Sequence, residues 1–452
     1  MPNEICGYTD RQSVAPGETI GFCLANLAGA ALRAPIRIAR IGCVETERAA
    51  GIATVAPGAV PAAPGCESQG WPVGYEQKIG PEWKPGIYLA RIGEEAGGRE
   101  EIFFVVRNAE NRTALPLAVQ IPTTTMNAYN NWGGASLYPY NSPGVAATAV
   151  SFDRPQRADP RWPRGYGFKN EWELRIKAFV HWLEAMGYEA DFITNHDLHE
   201  RPLSIGRGAL FISIGHDEYW TRAMRAHFDG FIAAGGNAAI LGGNTCYWQI
   251  RLEADDRGGG GLRREVCYRS AAADPVADPA LKTAMWRDLA LPENTSFGAG
   301  FAKGAWRGTA AHGAFTLWQP DHWVFRNTGL RRGDQFGGTP DEQLLGYETN
   351  GVDYRRDGDG LPVPTGADGT PQSYRILALA ELAEWGTPGN AALGLFAHQE
   401  SGGIVFNAAT TDWAKGFDAC LRSGDLLQTV TARITHNVIA RLAQPEGADA
   451  SK

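Results

Sequence analysis

Residues 209–220 read Ala-Leu-Phe-Ile-Ser-Ile-Gly-His-Asp-Glu-Tyr-Trp, an apolar run followed by a cluster of polar side chains. The apolar run predicts a buried strand. His216 and Glu218 then lie where a strand ends and a helix begins, which in an open α/β sheet is the edge where ligands bind. Spacing alone leaves two interpretations open. The pair serves a metal or proton-transfer site, or Glu218 simply meets the positive end of a helix dipole.

Strands and helices alternate on both sides of this stretch. Further apolar strands are predicted at residues 115–121, 190–194, 237–241 and 403–407, and amphipathic helices at 170–187, 221–234 and 426–442. Such alternation is typical of a parallel sheet flanked by helices. The sequence therefore predicts an α/β fold for the larger part of the chain.

The N-terminal part has a different pattern. Residues 1–110 contain short β-like runs separated by Pro-Gly turns and no convincing helix, which predicts a small all-β sandwich of the Ig-like type. We therefore divide the chain into this sandwich at 1–110, an α/β domain at 114–443 with an insertion around 251–400, and a polar tail at 444–452.

Composition narrows the classes of partner. The net charge is −8 and the chain has no basic block, which argues against a nucleic-acid partner. No apolar run is long enough to span a bilayer, so we expect no membrane association. Seven cysteines without a CxxC motif favour a reducing, cytoplasmic location over a disulfide framework.

Chemically capable residues follow several of the predicted strands. Because parallel strands end at one edge, we expect these residues to lie close together there. They are Tyr129 and Tyr138, His216 and Glu218, Asn244, and Asn407 with Asp412. On spacing alone the two tyrosines are ordinary core or pocket aromatics. A phenol has a pKa of about 10, so its ligation as phenolate needs a strong Lewis acid such as ferric iron.

Cys246 offers a different chemistry. It follows a strand and a Gly-Gly pair, as the nucleophile of a glutamine amidotransferase does, although the flanking residues do not match a nucleophile elbow. A buried structural cysteine is the commoner role for such a residue.

Four motifs carry a resemblance to a known family. They are Thr125-Met-Asn-Ala-Tyr129-Asn with Gly133-Gly-Ala-Ser-Leu-Tyr138, Gly215-His-Asp-Glu-Tyr219, Leu241-Gly-Gly-Asn244-Thr-Cys-Tyr-Trp248, and Phe406-Asn-Ala-Ala-Thr-Thr-Asp-Trp413. In this order they resemble the large (beta) subunit of N,N-dimethylformamidase, over roughly residues 115–440. The resemblance implies a glutamine-amidotransferase-like α/β core preceded by β-rich domains, of which this chain has one.

The resemblance also implies a site. It places a mononuclear iron, with Fe³⁺ favoured, on three ligands: Tyr129, Tyr138 and Glu218. The histidine of the His-x-Glu motif falls on His216, the asparagine after the Gly-Gly turn on Asn244, and a later catalytic glutamate on Glu348. Tyr140 follows Pro139 directly and competes with Tyr138 as a ligand.

From these residues we predict an iron-dependent amidohydrolase that acts on a small or N-substituted amide by Lewis-acid activation of the carbonyl or of water. We expect a homo-oligomer, and the resemblance adds a small accessory subunit. The alternative is a non-catalytic metal-binding or interaction protein on a degenerate amidotransferase-like scaffold, because a fold alone does not imply chemistry.

Overall fold

The computed structural model describes thirteen stretches of the chain. They are residues 4–59, 61–62, 65–94, 99–109, 114–142, 145–159, 161, 166–203, 205, 208–255, 261–307, 312–340 and 342–443. The predicted polar tail at 444–452 lies outside them.

The N-terminal strands form one eight-stranded sheet with the order β1-β3-β5-β4-β7-β8-β2, in which β6 pairs with β3. The strands are β1 (Ile5–Thr9), β2 (Ser13–Val14), β3 (Thr19–Asn26), β4 (Leu32–Arg40), β5 (Thr46–Pro57), β6 (Val73–Lys78), β7 (Gly86–Ile92) and β8 (Glu100–Val106). The sheet encloses an apolar core that includes Phe22, Ile36 and Phe104. We expected an Ig-like sandwich of two sheets. The strands instead belong to one continuous sheet, because the long β5 pairs both with β4 and with the end of β3.

A nine-stranded sheet forms the centre of the larger part, with the order β11-β9-β12-β14-β23-β22-β21-β17-β18. Its strands are β9 (Leu117–Ile121), β11 (Asp191–Thr194), β12 (Leu210–His216), β14 (Asn237–Gly243), β17 (Phe315–Leu317), β18 (Gln335–Phe336), β21 (Arg375–Leu382), β22 (Gly389–Ala397) and β23 (Ile404–Asn407). A four-stranded sheet is formed by β10 (Ala149–Ser151), β16 (Arg264–Val266), β15 (Trp248–Glu253) and β13 (Tyr219–Thr221), and a hairpin by β19 (Tyr354–Arg356) and β20 (Pro362–Pro364).

The described residues form eight α-helices, several of which share apolar clusters with the central sheet. They are α1 (Thr123–Tyr129), α2 (Phe168–Glu171), α3 (Lys177–Ala185), α4 (Asn195–Glu200), α5 (Arg222–Ala233), α6 (Asn294–Phe297), α7 (Asp418–Ser423) and α8 (Val430–Leu442), with a π-helical turn at Trp172–Ile176 joining α2 to α3. Alternate residues of β12 enter opposite cores. Ile212 packs in the same cluster as residues of α3 and α8, and Phe211 packs with Phe228 of α5. Among the described helices, none is long and apolar enough to cross a membrane.

The predicted fold class is wrong. The chain is mostly β, with 34% strand against 21% helix, so it is not a helix-flanked amidotransferase-like α/β fold. The first five strands of the central sheet are parallel, but β22, β21, β17 and β18 add to it antiparallel. These four strands come from the segment expected to be an insertion over the sheet. Two of them are only two or three residues long, and neighbouring strands rather than a local pattern define them.

Candidate functional site

The ends of the parallel strands bring the polar residues to one edge. β12 ends at His216, and Asn244 follows β14 directly. The chain after β9 forms α1, whose last residue is Tyr129. Glu348 belongs to a later segment of the chain, and its backbone carbonyl accepts a hydrogen bond from the Thr411 amide at 3.1 Å. All six residues predicted for the site therefore lie at this edge.

The Glu218 carboxylate contacts both tyrosines. Tyr129 Oη donates to Glu218 Oε2 at 2.9 Å. Tyr138 Oη lies 2.8 Å from Oε1 and 2.9 Å from Oε2 of the same carboxylate. The two rings stand 4.2 Å apart between centroids. Three oxygen-bearing side chains thus converge on one point.

His216, Glu348 and Asn244 form a second group that touches the first. His216 Nε2 lies 2.8 Å from Glu348 Oε2 and 3.4 Å from Glu218 Oε2. The first contact is an ion-pair contact without the alignment of a hydrogen bond. Asn244 Nδ2 donates to the same Glu348 oxygen at 3.1 Å. Glu348 Oε2 is therefore the atom on which this second group converges.

Burial and neighbouring charges shift the pKa values at this edge. Burial, reinforced by the charge of Glu218, raises the pKa of the Tyr129 and Tyr138 phenols well above the ordinary value. Burial also raises the pKa of Glu218. Burial by itself lowers the pKa of His216, but the carboxylates of Glu348 and Glu218 outweigh it and raise that pKa to about 9. Two carboxyl groups, those of Glu218 and Glu348, therefore lie against one imidazole at this edge.

Asp217 and Glu218 are adjacent and have different surroundings. Asp217 accepts hydrogen bonds from Gln120, from Asn195 at 3.1 Å and from Ser213 at 2.9 Å. Its oxygens are thus held by neutral donors of neighbouring elements. The Glu218 backbone amide is fixed by Thr125 Oγ1 at 2.8 Å, which leaves its carboxylate for the two phenols. Of these two carboxylates, the one that contacts both phenols is therefore that of Glu218.

An ion pair absent from the sequence prediction supports β12. Glu171 Oε1 accepts from the His216 amide at 3.0 Å, and Arg175 Nη1 contacts Glu171 Oε2 at 2.8 Å. Gly215 leaves room for this pair, since its φ is 78° and a Cβ there would lie 2.9 Å from Glu171 Oε1. A signal was present. Glu171 and Arg175 are four residues apart on the apolar face of the predicted helix, where unpaired charges would be costly.

Two arginines that carried no such signal, one buried and one half-buried, also contact the site. Arg154 is 1% exposed and makes five hydrogen bonds, to the carbonyls of Asn127, Trp132, Ala135 and Ser151 and to Asn127 Oδ1. It thereby holds the loop between the two site tyrosines. Arg269 places its guanidinium 4.0 Å from the Tyr138 ring centroid and donates to Tyr219 Oη at 2.7 Å. Backbone carbonyls and ring faces leave no pattern in a sequence.

Three other predicted residues have different surroundings. Tyr140 is 51% exposed and packs on the Tyr138 ring, and the hydrogen bond to Glu218 comes from Tyr138. Asn407 donates to the carbonyls of Phe297 and Ala299 and so has a structural role. Asp412 pairs with Arg175 at 3.4 Å and with Lys415 at 2.9 Å, behind the site.

Cys246 does not have the surroundings of a nucleophile. Its side chain is fully buried, and burial raises the pKa of its thiol well above the ordinary value. A nucleophilic cysteine needs the opposite, a lowered pKa and an accessible sulfur.

The donor set fits a hard metal ion. The described residues contain no group of three or more His, Cys, Asp and Glu side chains arranged to hold a metal. The candidate set is of another kind, because it combines one carboxylate with two phenols. Each phenol oxygen lies 2.8–2.9 Å from an oxygen of the Glu218 carboxylate. Oxygen donors of this type suit a hard cation, and two phenolates with a carboxylate need a strongly charged one.

The chain is similar to known sequences. The family model described as N,N-dimethylformamidase beta subunit-like, C-terminal, matches residues 38–425. The N,N-dimethylformamidase beta subunit of an Alcaligenes species is 28% identical over 145 residues, which are 31% of this chain and 19% of that protein. The subunit of the same name from Paracoccus aminophilus gives the same values. These alignments span about a fifth of each curated relative. Among solved structures, a Paenibacillus cycloisomaltooligosaccharide glucanotransferase is 14% identical, covers 49% of this chain and 28% of its own, and has a TM-score of 0.17, too low to support any inference.

Proposed function

The chain belongs to the N,N-dimethylformamidase beta subunit-like family, and on that premise we propose that it hydrolyses the C–N bond of a small or N-substituted amide at the edge formed by Glu218, His216 and Glu348. The family match confirms the resemblance read from the sequence and extends it toward the N-terminus. One observation carries the proposal. The Glu218 carboxylate joins two phenols on one side, and an imidazole that contacts Glu348 lies on the other.

We assign Tyr129, Tyr138 and Glu218 as the ligands of one iron ion. The close approach of both phenol oxygens to the Glu218 carboxylate supports the assignment, as does the hard character of all three donors. Bound there, the iron would supply Lewis acidity toward an amide carbonyl or a water molecule. Arg269, 4.0 Å from the Tyr138 ring, keeps that ring in place and adds positive charge beside its phenol.

The second group of residues supplies proton transfer. A water molecule beside Glu348 Oε2 gives a proton to that oxygen as its own oxygen bonds to the amide carbonyl carbon. The same proton then passes to the amine nitrogen as the C–N bond breaks, so the products are a carboxylic acid and an amine. His216 Nε2, 2.8 Å from Glu348 Oε2, stabilises the carboxylate, and Asn244 Nδ2 fixes its orientation.

Metal analysis and turnover test this proposal together. The purified protein should contain about one iron per chain and show a visible phenolate-to-iron absorption band. Glu218→Ala should lose both the iron and the hydrolysis of N,N-dimethylformamide. His216→Ala should keep most of the iron and lose the hydrolysis, because His216 is not assigned as a ligand.

A matched pair of tyrosine variants discriminates between the ligand assignments. Tyr138→Phe should weaken the absorption band, whereas Tyr140→Phe, two residues away and half exposed, should preserve it. Colourless, iron-free protein that remains active after chelation would overturn the iron assignment. Iron-loaded protein that turns over no amide would instead favour the non-catalytic alternative.

The assembly is a separate part of the proposal. The relatives in the comparison are named as beta subunits, and we infer that this chain also works within an oligomer, with a homo-oligomer expected and a small accessory subunit as an addition. Light scattering on the purified chain tests the first part. Iron-loaded chain that becomes active only when co-expressed with a second gene product would establish the second.

A further inference from the structure

A cavity lies beside α8, away from the strand edge that holds the site. Its volume is about 340 Å³, within the range of about 300–1,000 Å³ that small-molecule sites span. Its lining includes Arg441, and the carbonyl of the next residue, Leu442, accepts a hydrogen bond from Asn237 at the start of β14. Asn244 of the site follows the other end of the same strand. The cavity is therefore separate from the site.

Cationic side chains dominate the lining of this cavity. Trp323 and Arg326 line it from the 3₁₀ turn Trp323–Phe325 and from the residue that follows this turn. The lining residues of α8 recur at about one helical turn and so share one face, formed by Arg433, His436, Asn437, Ala440 and Arg441. The described lining residues include three arginines and no carboxylate. In a chain with a net charge of −8, this is a local reversal of sign.

The positive charges of these arginines are not compensated within the part of the chain that the structure describes. There, the guanidinium groups of Arg326, Arg433 and Arg441 take part in no ion pair or hydrogen bond. Arg441 is in the last turn of α8, where the helix dipole favours a cation, but Arg433 is in the first turn, where it does not. Burial and the charge of Arg433 lower the pKa of the neighbouring His436. An anion bound between these groups would relieve their repulsion.

Hydrogen bonds hold the two sides of the cavity together. Asn437 Nδ2 donates to the carbonyl of Val324 at 2.9 Å and to that of Arg326 at 2.8 Å, so the 3₁₀ segment is fixed against α8. His436 Nδ1 lies 2.8 Å from Tyr188 Oη, which sets the orientation of the imidazole ring. The frame that presents the arginines is thus formed before any ligand binds.

Trp323 adds an aromatic surface beside the charges. Its side chain is half-buried and lines the cavity together with Leu427. The planar fork of an arginine matches the geometry of phosphate oxygens, and an indole ring stacks on other planar rings. A free inorganic anion would use only the arginines. A small molecule that joins a phosphate to a planar ring would use both features.

We propose that this cavity binds a small phosphate ester that carries a planar ring, of the kind that a nucleoside monophosphate represents. Arg326 and Arg433 bind the phosphate oxygens from opposite sides, and Trp323 stacks on the ring. Arg441 adds positive charge at the end of α8. This site is independent of the amide hydrolysis proposed above, and the bound molecule undergoes no reaction there.

Three probes separate the contributions of the phosphate and the ring: adenosine monophosphate, adenosine and inorganic phosphate. Calorimetry on the wild-type chain should show that the nucleotide binds at least about tenfold more tightly than either of the others, a factor equivalent to about 1.4 kcal/mol. Arg326→Gln and Arg433→Gln change two different segments, and each should weaken nucleotide binding about tenfold. The matched control is Arg222→Gln, which removes an exposed arginine in the first turn of α5 and should leave binding unchanged.

The other results would overturn the proposal. They are no binding of the nucleotide, binding that neither cavity variant weakens, and an equal loss in Arg222→Gln, which would indicate a general effect of net charge. Equal affinity for the nucleotide and inorganic phosphate would exclude a contribution from the ring. Trp323→Leu tests that contribution separately, and it should weaken nucleotide binding several-fold while leaving the binding of inorganic phosphate unchanged. Because no turnover is measured, these results do not depend on whether the chain hydrolyses an amide.

Discussion

The N-terminal sheet and the carboxyl edge of the parallel strands are both buried, but they bury different things. The core of the N-terminal sheet is almost entirely aliphatic and aromatic. The strand edge buries His216, Glu218, Glu171 and Arg175 within contact of one another. Burying charge is costly unless each group is paired, and such clusters concentrate at functional sites. Apolar burial in the N-terminal sheet therefore stabilises the fold. Holding charged groups together at the strand edge costs free energy, and this stability offsets the cost.

The largest effect on the free energy of unfolding is expected from replacing Arg154, the buried arginine that holds the loop between the two site tyrosines. Arg154 makes five hydrogen bonds to the loop 127–138 and to Ser151. Arg154→Met leaves those acceptors unpaired and should lower the free energy of unfolding by about 3 kcal/mol. It should also displace Tyr129 and Tyr138, so the content of the iron that we propose to be bound there should fall. Denaturant unfolding and iron analysis measure the two effects.

Arg154→Lys provides the control for that prediction. It keeps a positive charge but cannot reach several carbonyls at once, so its effects should lie between those of wild type and Arg154→Met. If Arg154→Met unfolds at the same denaturant concentration as wild type, the loop does not depend on this arginine.

The sequence alone predicted the strand ends that carry the site residues. It did not predict the strands and the buried arginine that hold them in place. The apolar run before His216 and the Gly-Gly turn before Asn244 are local signals, so the strands that carry these residues could be predicted to within two residues. The antiparallel strands β17 and β18 could not, because pairing with distant strands defines them. The position after a predicted strand brought Tyr129 and Tyr138 into consideration, but only the family resemblance assigned them as ligands and pointed to Glu348. Arg154 left no trace, since most of its acceptors are backbone carbonyls.

A second prediction concerns Glu100, a buried carboxyl group in the otherwise apolar N-terminal sheet. Glu100 is 1% exposed, and burial raises its pKa to about 7 from an ordinary 4.5. The charge of Arg157 and a hydrogen bond from the Gly7 amide oppose this shift, and the carboxylates of Glu101 and Glu4 add to it. The folded state therefore favours the protonated form. The stability that Glu100 contributes is complete below about pH 4.5 and is lost as the pH rises through about 7.

Glu100→Gln should remove this dependence. Between pH 5 and pH 8, the wild-type unfolding free energy should fall by about 2 kcal/mol more than that of the variant. Unfolding curves at several pH values measure the difference. Parallel curves for the two proteins would show that Glu100 is already solvated or fully paired. Hydrolysis per folded molecule should not change, because Glu100 is in the N-terminal sheet.

The smallest effects on stability are expected at Phe103 and Phe104, two neighbouring residues of β8. Their expected effects on activity differ clearly. Phe104 packs inside the N-terminal sheet, with ring centroids 5.8 Å from Phe22 and 5.5 Å from Tyr88. Phe103 points the other way and stacks at 4.5 Å on Phe168, the first residue of the helix that carries Glu171. Each Phe→Leu change should cost about 1 kcal/mol of unfolding free energy, because each loses two aromatic contacts and some packing.

The two variants should differ in activity. Phe104→Leu should leave kcat/KM unchanged, since its contacts stay within the apolar region. Phe103→Leu loosens the start of the helix that holds the His216 amide through Glu171, so it should lower kcat by a few-fold at equal stability. Equal kcat values at equal stability would mean that the helix start is fixed by its other contacts and that the two regions are independent. A lower kcat in Phe104→Leu would mean the opposite, namely that a packing change inside the N-terminal sheet alters the geometry of the site at the strand edge.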